Sequence, residues 1–340
     1  DCLENKVKDK CDDLTLEQQI FTALAIGKCK TEINEDSKDS ECWPKSACNI
    51  KSTAQAILAL GGKDKAEKWL FKQNATSSDL IWYLQIDSAD ETTCKISYGS
   101  SYTITISEDK KISSGAGSCL QLSEGGYWLR VSSGECQNKE YSISCNKNFI
   151  TSLLYKKSGS STIYVSEKLQ ESSAEGTLTE KINSVCFKQG TACNYEGSLW
   201  ATMVLEGRGY KVSDYIPYLV AMAEDNDKLI PEAFLYQLTG EFRSELLGRQ
   251  KEKYWDESGD KFYDTALALL PFQEESPSEK ETSINWLLEV QDKDGCWQGN
   301  VRNTGFLLYS VWPKGAGGGG GEEPGLDCAI DGKGYCLSRA

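Results

Sequence analysis

The apolar positions of this chain change period twice, and that change limits the folds open to it more than any other feature. Up to about Ser77, and again from about Thr179, apolar residues recur every three or four positions; between those points they tend to alternate in twos. Helices and strands bury different faces, so the chain reads as an α+β multidomain protein. A helical body lies in two pieces, 1–77 and 179–313, around an inserted β domain at 78–178.

In the first piece, "LTLEQQIFTALAIG" places Leu16, Ile20, Ala23, Leu24 and Gly27 on one face, and Thr15 with Gln18 has capping-box spacing. A helix over Leu16 to Ile26 follows. "KSTAQAILALGG" repeats the logic with Ser52 and Gln55 as the box and Gly61-Gly62 as the stop, and "KAEKWLFKQN" is a third helix. The inserted region holds "LIWYLQI", "TCKISY", "YTITIS", "CLQL", "YWLRV", "YSISC", "FITSLLY" and "TIYVS", eight strand-like runs in about 95 residues. Tyr102, Ile104 and Ile106 should share one face, as should Tyr127, Leu129 and Val131. The expected architecture is a small β-sandwich of immunoglobulin-like type. Seven further helical runs lead to Trp312, making about ten helices in all. Residues 314–340 then carry five consecutive glycines, a tether, and a terminal hook that Cys328 and Cys336 could close around Gly332-Lys333-Gly334.

The cysteines number 14, an even count: Cys2, Cys11, Cys29, Cys42, Cys48, Cys94, Cys119, Cys136, Cys145, Cys186, Cys193, Cys296, Cys328 and Cys336. No C-x-x-C pair starts a metal site, so all 14 are disulfide candidates, and the chain is expected to be extracellular. Cys94, Cys119, Cys136 and Cys145 should pair among themselves. Opening at Asp1-Cys2 without a charged-then-apolar leader fits a secreted chain whose signal segment has been removed. Asn74-Ala75-Thr76 is a glycosylation sequon, with Asn74 as acceptor. A net charge of −14 disfavours nucleic acid and anionic lipid as partners, and no apolar run approaches the roughly 18 residues of a membrane span. Histidine is absent, which removes Ser-His-Asp and Cys-His catalysis and histidine-ligated metals together.

Four stretches repeat one pattern: "STAQAILAL" at Ser52, "GSLWATMVL" at Gly197, "DTALALLPF" at Asp264 and "NTGFLLYSV" at Asn303. Three open with a side chain able to cap a helix, followed by Thr; the second has Ser198 in the threonine's place. Half-units ending in Gln, a turn and Trp precede some of them, which marks a helical-hairpin repeat. In the most complete copy, Gln291, Gly295 and Trp297 have the Gln-x-x-x-Gly-x-Trp spacing that resembles the QW repeat of triterpene cyclases. The surrounding helices resemble the terpenoid cyclase and protein prenyltransferase superfamily over roughly Thr15 to Gln73 and Thr179 to Trp312. The resemblance implies an α/α toroid, inner and outer helices alternating around a ring, although about ten helices fall short of that family's twelve. It implies a bracing role for Gln291, Gly295 and Trp297, with the indole over the glutamine amide.

The family's chemistries do not carry over. The chain has no Asp-x-Asp-Asp run and no Gly-Cys-Gly-Glu-Gln thioester motif; Asp12-Asp13 fits a helix start better than a magnesium site, and a zinc site needing His cannot form. Acids that could serve a glycosidase are Glu224, Asp225 and Asp227, Asp256, Glu257 and Asp260, and Asp292 and Asp294. The expectation is a non-catalytic structural protein of the cell surface without cofactor, self-associating through its tail into a filament or surface layer, or joining other surface proteins. The alternative is a module for glycan or hydrophobic ligands, with Tyr254-Trp255 or Trp82-Tyr83 as stacking platforms. A carboxylate-based polysaccharide hydrolase or lyase ranks last.

Overall fold

The computed structural model describes residues 2–166 and 169–313. Among them are twelve α-helices: α1 (Cys2–Val7), α2 (Leu16–Ile26), α3 (Lys30–Glu35), α4 (Ile50–Leu60), α5 (Asp64–Lys72), α6 (Tyr195–Gly207), α7 (Ile216–Ala221), α8 (Pro231–Thr239), α9 (Arg243–Gly248), α10 (Lys261–Leu269), α11 (Ser278–Glu289) and α12 (Val301–Val311). The expected ten lacked α1 and α3, each of six residues. Helix α2 has the expected bounds: Thr15 Oγ1 accepts the Gln18 N–H, Gln18 Oε1 accepts the Thr15 N–H, and Gly27 ends it at φ +75°. Helix α4 differs. Its cap is Asn49, whose Oδ1 accepts the Ser52 N–H at 2.8 Å, while Ser52 and Gln55 lie inside the helix and Gln55 is buried.

The even-numbered helices pack in a closed cycle, α2 on α4, α4 on α6, α6 on α8, α8 on α10, α10 on α12 and α12 on α2. Burial nearly all round shows in α6, where Gly197 through Leu205 are buried, whereas α5 on the outside buries only Ala66, Glu67 and Leu70. Two contacts in the cycle depend on glycine. A Cβ on Gly305 of α12 would lie 2.8 Å from the Phe21 backbone of α2, and one on Gly197 of α6 would lie 2.8 Å from Ile50 of α4. The cycle closes because α12 can approach α2 that nearly.

The β region is inserted between α5 and α6. Its strands are β1 (Asn74–Thr76), β2 (Leu80–Asp87), β3 (Thr92–Ser97), β4 (Ser101–Ile106), β5 (Leu120–Ser123), β6 (Trp128–Val131), β7 (Glu140–Cys145), β8 (Phe149–Lys157), β9 (Tyr164–Val165), β10 (Gln170–Ser172), β11 (Thr177–Lys181), β12 (Val185–Gln189) and β13 (Ala192–Cys193). The eight expected runs became β2 through β9. One antiparallel sheet runs β10-β8-β2-β6-β5 with β9 on β8, a second runs β11-β7-β3-β4, and both bury side chains in one core around Trp82, Ile96, Leu129 and Tyr141. Strand β11 crosses the expected border at residue 178. A small third sheet, β1-β12-β13, pairs Asn74 with Phe187 and ties the two ends of the insertion together. Ile104 and Ile106 point into the core as expected, and so do Leu129 and Val131, but Tyr127 sits in the turn before β6 and is exposed.

Twelve cysteines form six disulfides. Cys94 pairs with Cys145 and Cys119 with Cys136 inside the β region. Cys11–Cys29, Cys42–Cys48 and Cys186–Cys193 close short loops beside α2, α4 and α6, and Cys2–Cys296 ties α1 to the turn between α11 and α12. The expected hook, Cys328 with Cys336, lies outside the described residues.

Candidate functional site

One brace recurs at the entrance to four inner helices. An aromatic residue ahead of the helix donates its backbone N–H to a hydroxyl in the helix's first turns: Trp43 to Thr53, Phe187 to Ser198, Trp255 to Thr265 and Trp297 to Thr304, at 3.0 to 3.2 Å. The three indoles also donate to a carbonyl of the preceding outer helix: Trp43 to Ile33 at 2.6 Å, Trp255 to Leu246 at 2.8 Å and Trp297 to Leu287 at 2.9 Å. Each helix is capped by Asn49, Asn194, Asp260 or Asn300, whose side chain accepts an N–H three residues on. The repeated Thr and Ser were therefore visible in the sequence, but the caps lie before the motif. Asp264 and Asn303, expected as caps, are helix-interior side chains; Asp264 accepts from Glu257 N, Ser258 N and Ser258 Oγ, all at 2.7 Å.

Gln291, Gly295 and Trp297 form one turn. Gln291 Nε2 donates to the Gly295 carbonyl at 2.9 Å, Gly295 takes φ +89°, and the Trp297 ring stacks on Trp312 at 5.8 Å rather than over the glutamine amide. Cys296 within that turn anchors the bond to Cys2. Asn74 is exposed on β1, and its Oδ1 accepts from the Tyr215 hydroxyl at 2.9 Å. Of the expected stacking platforms, Tyr83 and Trp255 are buried core residues, Tyr254 is half-buried, and Trp82 is buried but borders a cavity beside the sheets.

The first turns of the inner helices converge on a cavity of about 290 Å³. Across it runs a chain of alternating charge. Lys51 of α4 lies 2.8 Å from Glu196 of α6 and 3.2 Å from Glu17 of α2; Arg302 of α12 lies 3.5 Å from Glu17 and pairs with Asp260, which also accepts from Asn303 Nδ2 at 2.9 Å. Burial works against the Lys51 ammonium, but Tyr263, Glu17 and Glu196 outweigh it and hold its pKa above the ordinary lysine value. Burial raises the Tyr263 hydroxyl as well, and it has no hydrogen-bond partner among the described residues. Burial likewise raises Asp264, against the hydrogen bonds it receives from Ser258 and Glu257. Beneath the ions the middle of the cycle is filled by aromatic rings: Phe21 stacks on Phe306 at 4.2 Å, Trp200 meets Phe234 at 5.1 Å, and Tyr263 meets Phe306 at 5.2 Å.

Sequence reasoning missed Glu17, Lys51, Glu196, Tyr263 and Arg302. A signal was present: a cation in the first turn of a helix opposes the dipole, and Lys51 and Arg302 both sit just after a cap, a position that calls for acidic partners. Of the acids singled out instead, Asp225 pairs with Lys157, Glu257 with Arg249 at 3.1 Å and Asp260 with Arg302, while Asp292 and Asp294 accept loop N–H groups. The two places among the described residues where cysteines and acids gather closely enough for a metal are Cys2-Asp294-Cys296 and Cys11-Cys29-Glu32, and in both the sulfurs are committed to disulfides. No described helix is long and apolar enough to cross a membrane. No family model, no curated protein and no solved structure matches the chain.

Proposed function

We propose that the chain is an extracellular, non-catalytic structural protein of a cell surface, built as an α/α toroid with an inserted β-sandwich. The observation that carries this reading is the state of the ring's centre. A cyclase needs an open apolar bore, and a glycosidase needs two carboxyls free to exchange protons across a cleft. Here Phe21, Trp200, Phe234, Tyr263 and Phe306 occupy the bore, and Lys51 and Arg302 lie between the acids that line its mouth. The remaining cavity, about 290 Å³, is at the lower limit for a small-molecule site. Six disulfides suit an oxidising compartment. The sandwich lacks the inter-sheet cystine of immunoglobulin domains, since Cys94 and Cys145 are paired neighbours within one sheet.

Contact between copies is placed in residues 314–340, which hold the glycine run and the last two cysteines. Electron microscopy of the full chain beside a chain ending at Pro313 tests the assembly: filaments or layers from the full chain alone support it, and lone monomers from both remove it. Product release from a polysaccharide panel by the wild type, abolished in Glu196→Gln, would overturn the non-catalytic reading.

A further inference from the structure

A second cavity, of about 610 Å³, lies where both large sheets meet the segment leading into α7. Trp82 of β2 and Tyr155 of β8 line it from one sheet, Glu180 and Lys181 of β11 from the other, and Lys211 and Pro217 from the helical side. Its volume falls in the range of ligand sites, and a seam between domains is where such sites favour forming.

Glu180 is the unusual group. It is only 2% exposed, and its Oε1 accepts one hydrogen bond, from Thr151 Oγ1 at 2.6 Å. Other buried acids are better supplied: Glu67, 3% exposed, is met by Arg208 and the Tyr210 hydroxyl, and Asp264, 1% exposed, receives three donors. Among the described residues no Lys or Arg forms an ion pair with Glu180, and the adjacent Lys181 turns to Glu140 at 3.2 Å. A buried carboxylate without a counter-charge is costly, and the missing charge is positive. Trp82 and Tyr155, both buried with ring centres 5.0 Å apart, add the aromatic surface that attracts ammonium groups. Asp214 also lines the cavity, but among the described residues no three acidic or cysteine side chains gather there closely enough to hold a metal ion.

We infer that this cavity binds an organic monocation, an amine carried on an apolar body, with Glu180 as its counter-ion. The carboxylate takes the ammonium head, and Trp82 and Tyr155 pack against its methylenes or N-methyl groups. Of the other charges in the lining, exposed Lys211 repels the ligand and Asp214 attracts it.

The test is a titration of the full chain with butylamine, butyltrimethylammonium and the neutral 1-pentanol, read by tryptophan fluorescence and calorimetry. The expected result is binding of at least one amine roughly tenfold tighter than the alcohol, a loss of roughly tenfold in Glu180→Gln, and tighter amine binding in Lys211→Ser at low salt. Equal binding of alcohol and amine, unchanged binding in Glu180→Gln, or no amine binding at the highest soluble concentration overturns it. The amine and alcohol comparison uses the wild-type chain, and Lys211 is exposed, so the answer survives even if Glu180→Gln misfolds.

Discussion

In the cycle of helices the first described helix is bonded beside the last described one, whereas in the β region the cystines join segments that are already near neighbours. Cys2–Cys296 spans 294 residues; Cys94–Cys145 spans 51 and Cys119–Cys136 spans 17. The sheet's register places Cys94 opposite Cys145 even without the bond, since Lys95 pairs with Ser144 and Ile96 with Ile143 alongside. The ring has no such ladder at its closure. There it relies on α12 packing against α2 through Gly305 and on the terminal staple. Local order is plentiful in both regions, but closure of the ring hangs on few contacts.

Removing the staples should separate the two regions most strongly. Loop-closure entropy assigns about 6 kcal/mol to a loop of the Cys2–Cys296 size and about 4 kcal/mol to one of the Cys94–Cys145 size. The Cys2→Ser, Cys296→Ser pair should lower the ring's unfolding transition and leave the β region's in place, as read by calorimetry. The Cys94→Ala, Cys145→Ala pair should do the reverse. A single transition shifting equally in both variants would mean that the regions unfold as one unit.

Alkaline pH should sharpen the contrast. Burial pushes Tyr215 and Tyr218, which pack in the helical core, up to about 12, Tyr215 against its hydrogen bond to Asn74. The unfolded tyrosines release their protons near pH 10, so between about pH 10 and 12 the unfolded chain binds fewer protons and stability falls as pH rises. At pH 11 the loss is about 1.4 kcal/mol for each of the two, about 3 kcal/mol together. Tyr195 and Tyr263 of the helical core are raised in the same direction, as are Tyr98 and Tyr141 of the β region. Melting temperature against pH should therefore decline above pH 10 in both transitions and more steeply in the ring's. A ring transition unchanged at pH 11 would refute the burial of these hydroxyls.

Closure itself can be strained directly. Gly305→Ala places a methyl against the Phe21 backbone, which cannot yield as a side chain would, so about 2–3 kcal/mol of overpacking is expected. Gly240→Ala is the control: at φ +76° it is strained in its own backbone, yet a Cβ there meets nothing within 4 Å. If both variants lose the same stability in urea, the α12–α2 approach is not what limits closure.

What the sequence made legible follows the same division between local and distant. Helix α2 was readable to the residue because Thr15, Gln18 and Gly27 form its start and stop within one short stretch. Strands β2 to β9 announced themselves as short runs rich in Ile, Val, Thr and Tyr, several of them alternating. Helix α4 was misread at its start because Asn49 and Ser52 are both competent caps, and the choice is made by Trp43, whose N–H takes the Thr53 hydroxyl. The sheet β1-β12-β13 was invisible: its strands have three, five and two residues, and β1 meets β12 only across the whole insertion. The charged mouth of the ring was missed for the same reason, since Glu17, Lys51, Glu196 and Arg302 come from four separate helices.

The smallest effect tests whether the ring's braces are interchangeable. Trp297→Phe keeps an aromatic ring in the core and the backbone bond to Thr304, but strands the Leu287 carbonyl that the indole N–H had satisfied. A buried carbonyl left without its donor costs about 1–2 kcal/mol. Trp43→Phe removes the same bond to Ile33 and should match Trp297→Phe within a few tenths of a kcal/mol, whereas Trp255→Phe should cost less, because the Leu246 carbonyl also accepts the Arg249 N–H at 3.3 Å. The fourth unit already has Phe187, stacked on Tyr215 at 4.6 Å, and Phe187→Leu should remove only packing. Urea denaturation of the four variants decides between a ring of equivalent units and one dominated by its seam: an effect at Trp297 far above those at Trp43 and Trp255 would place the extra energy at the turn that Cys2 also grips.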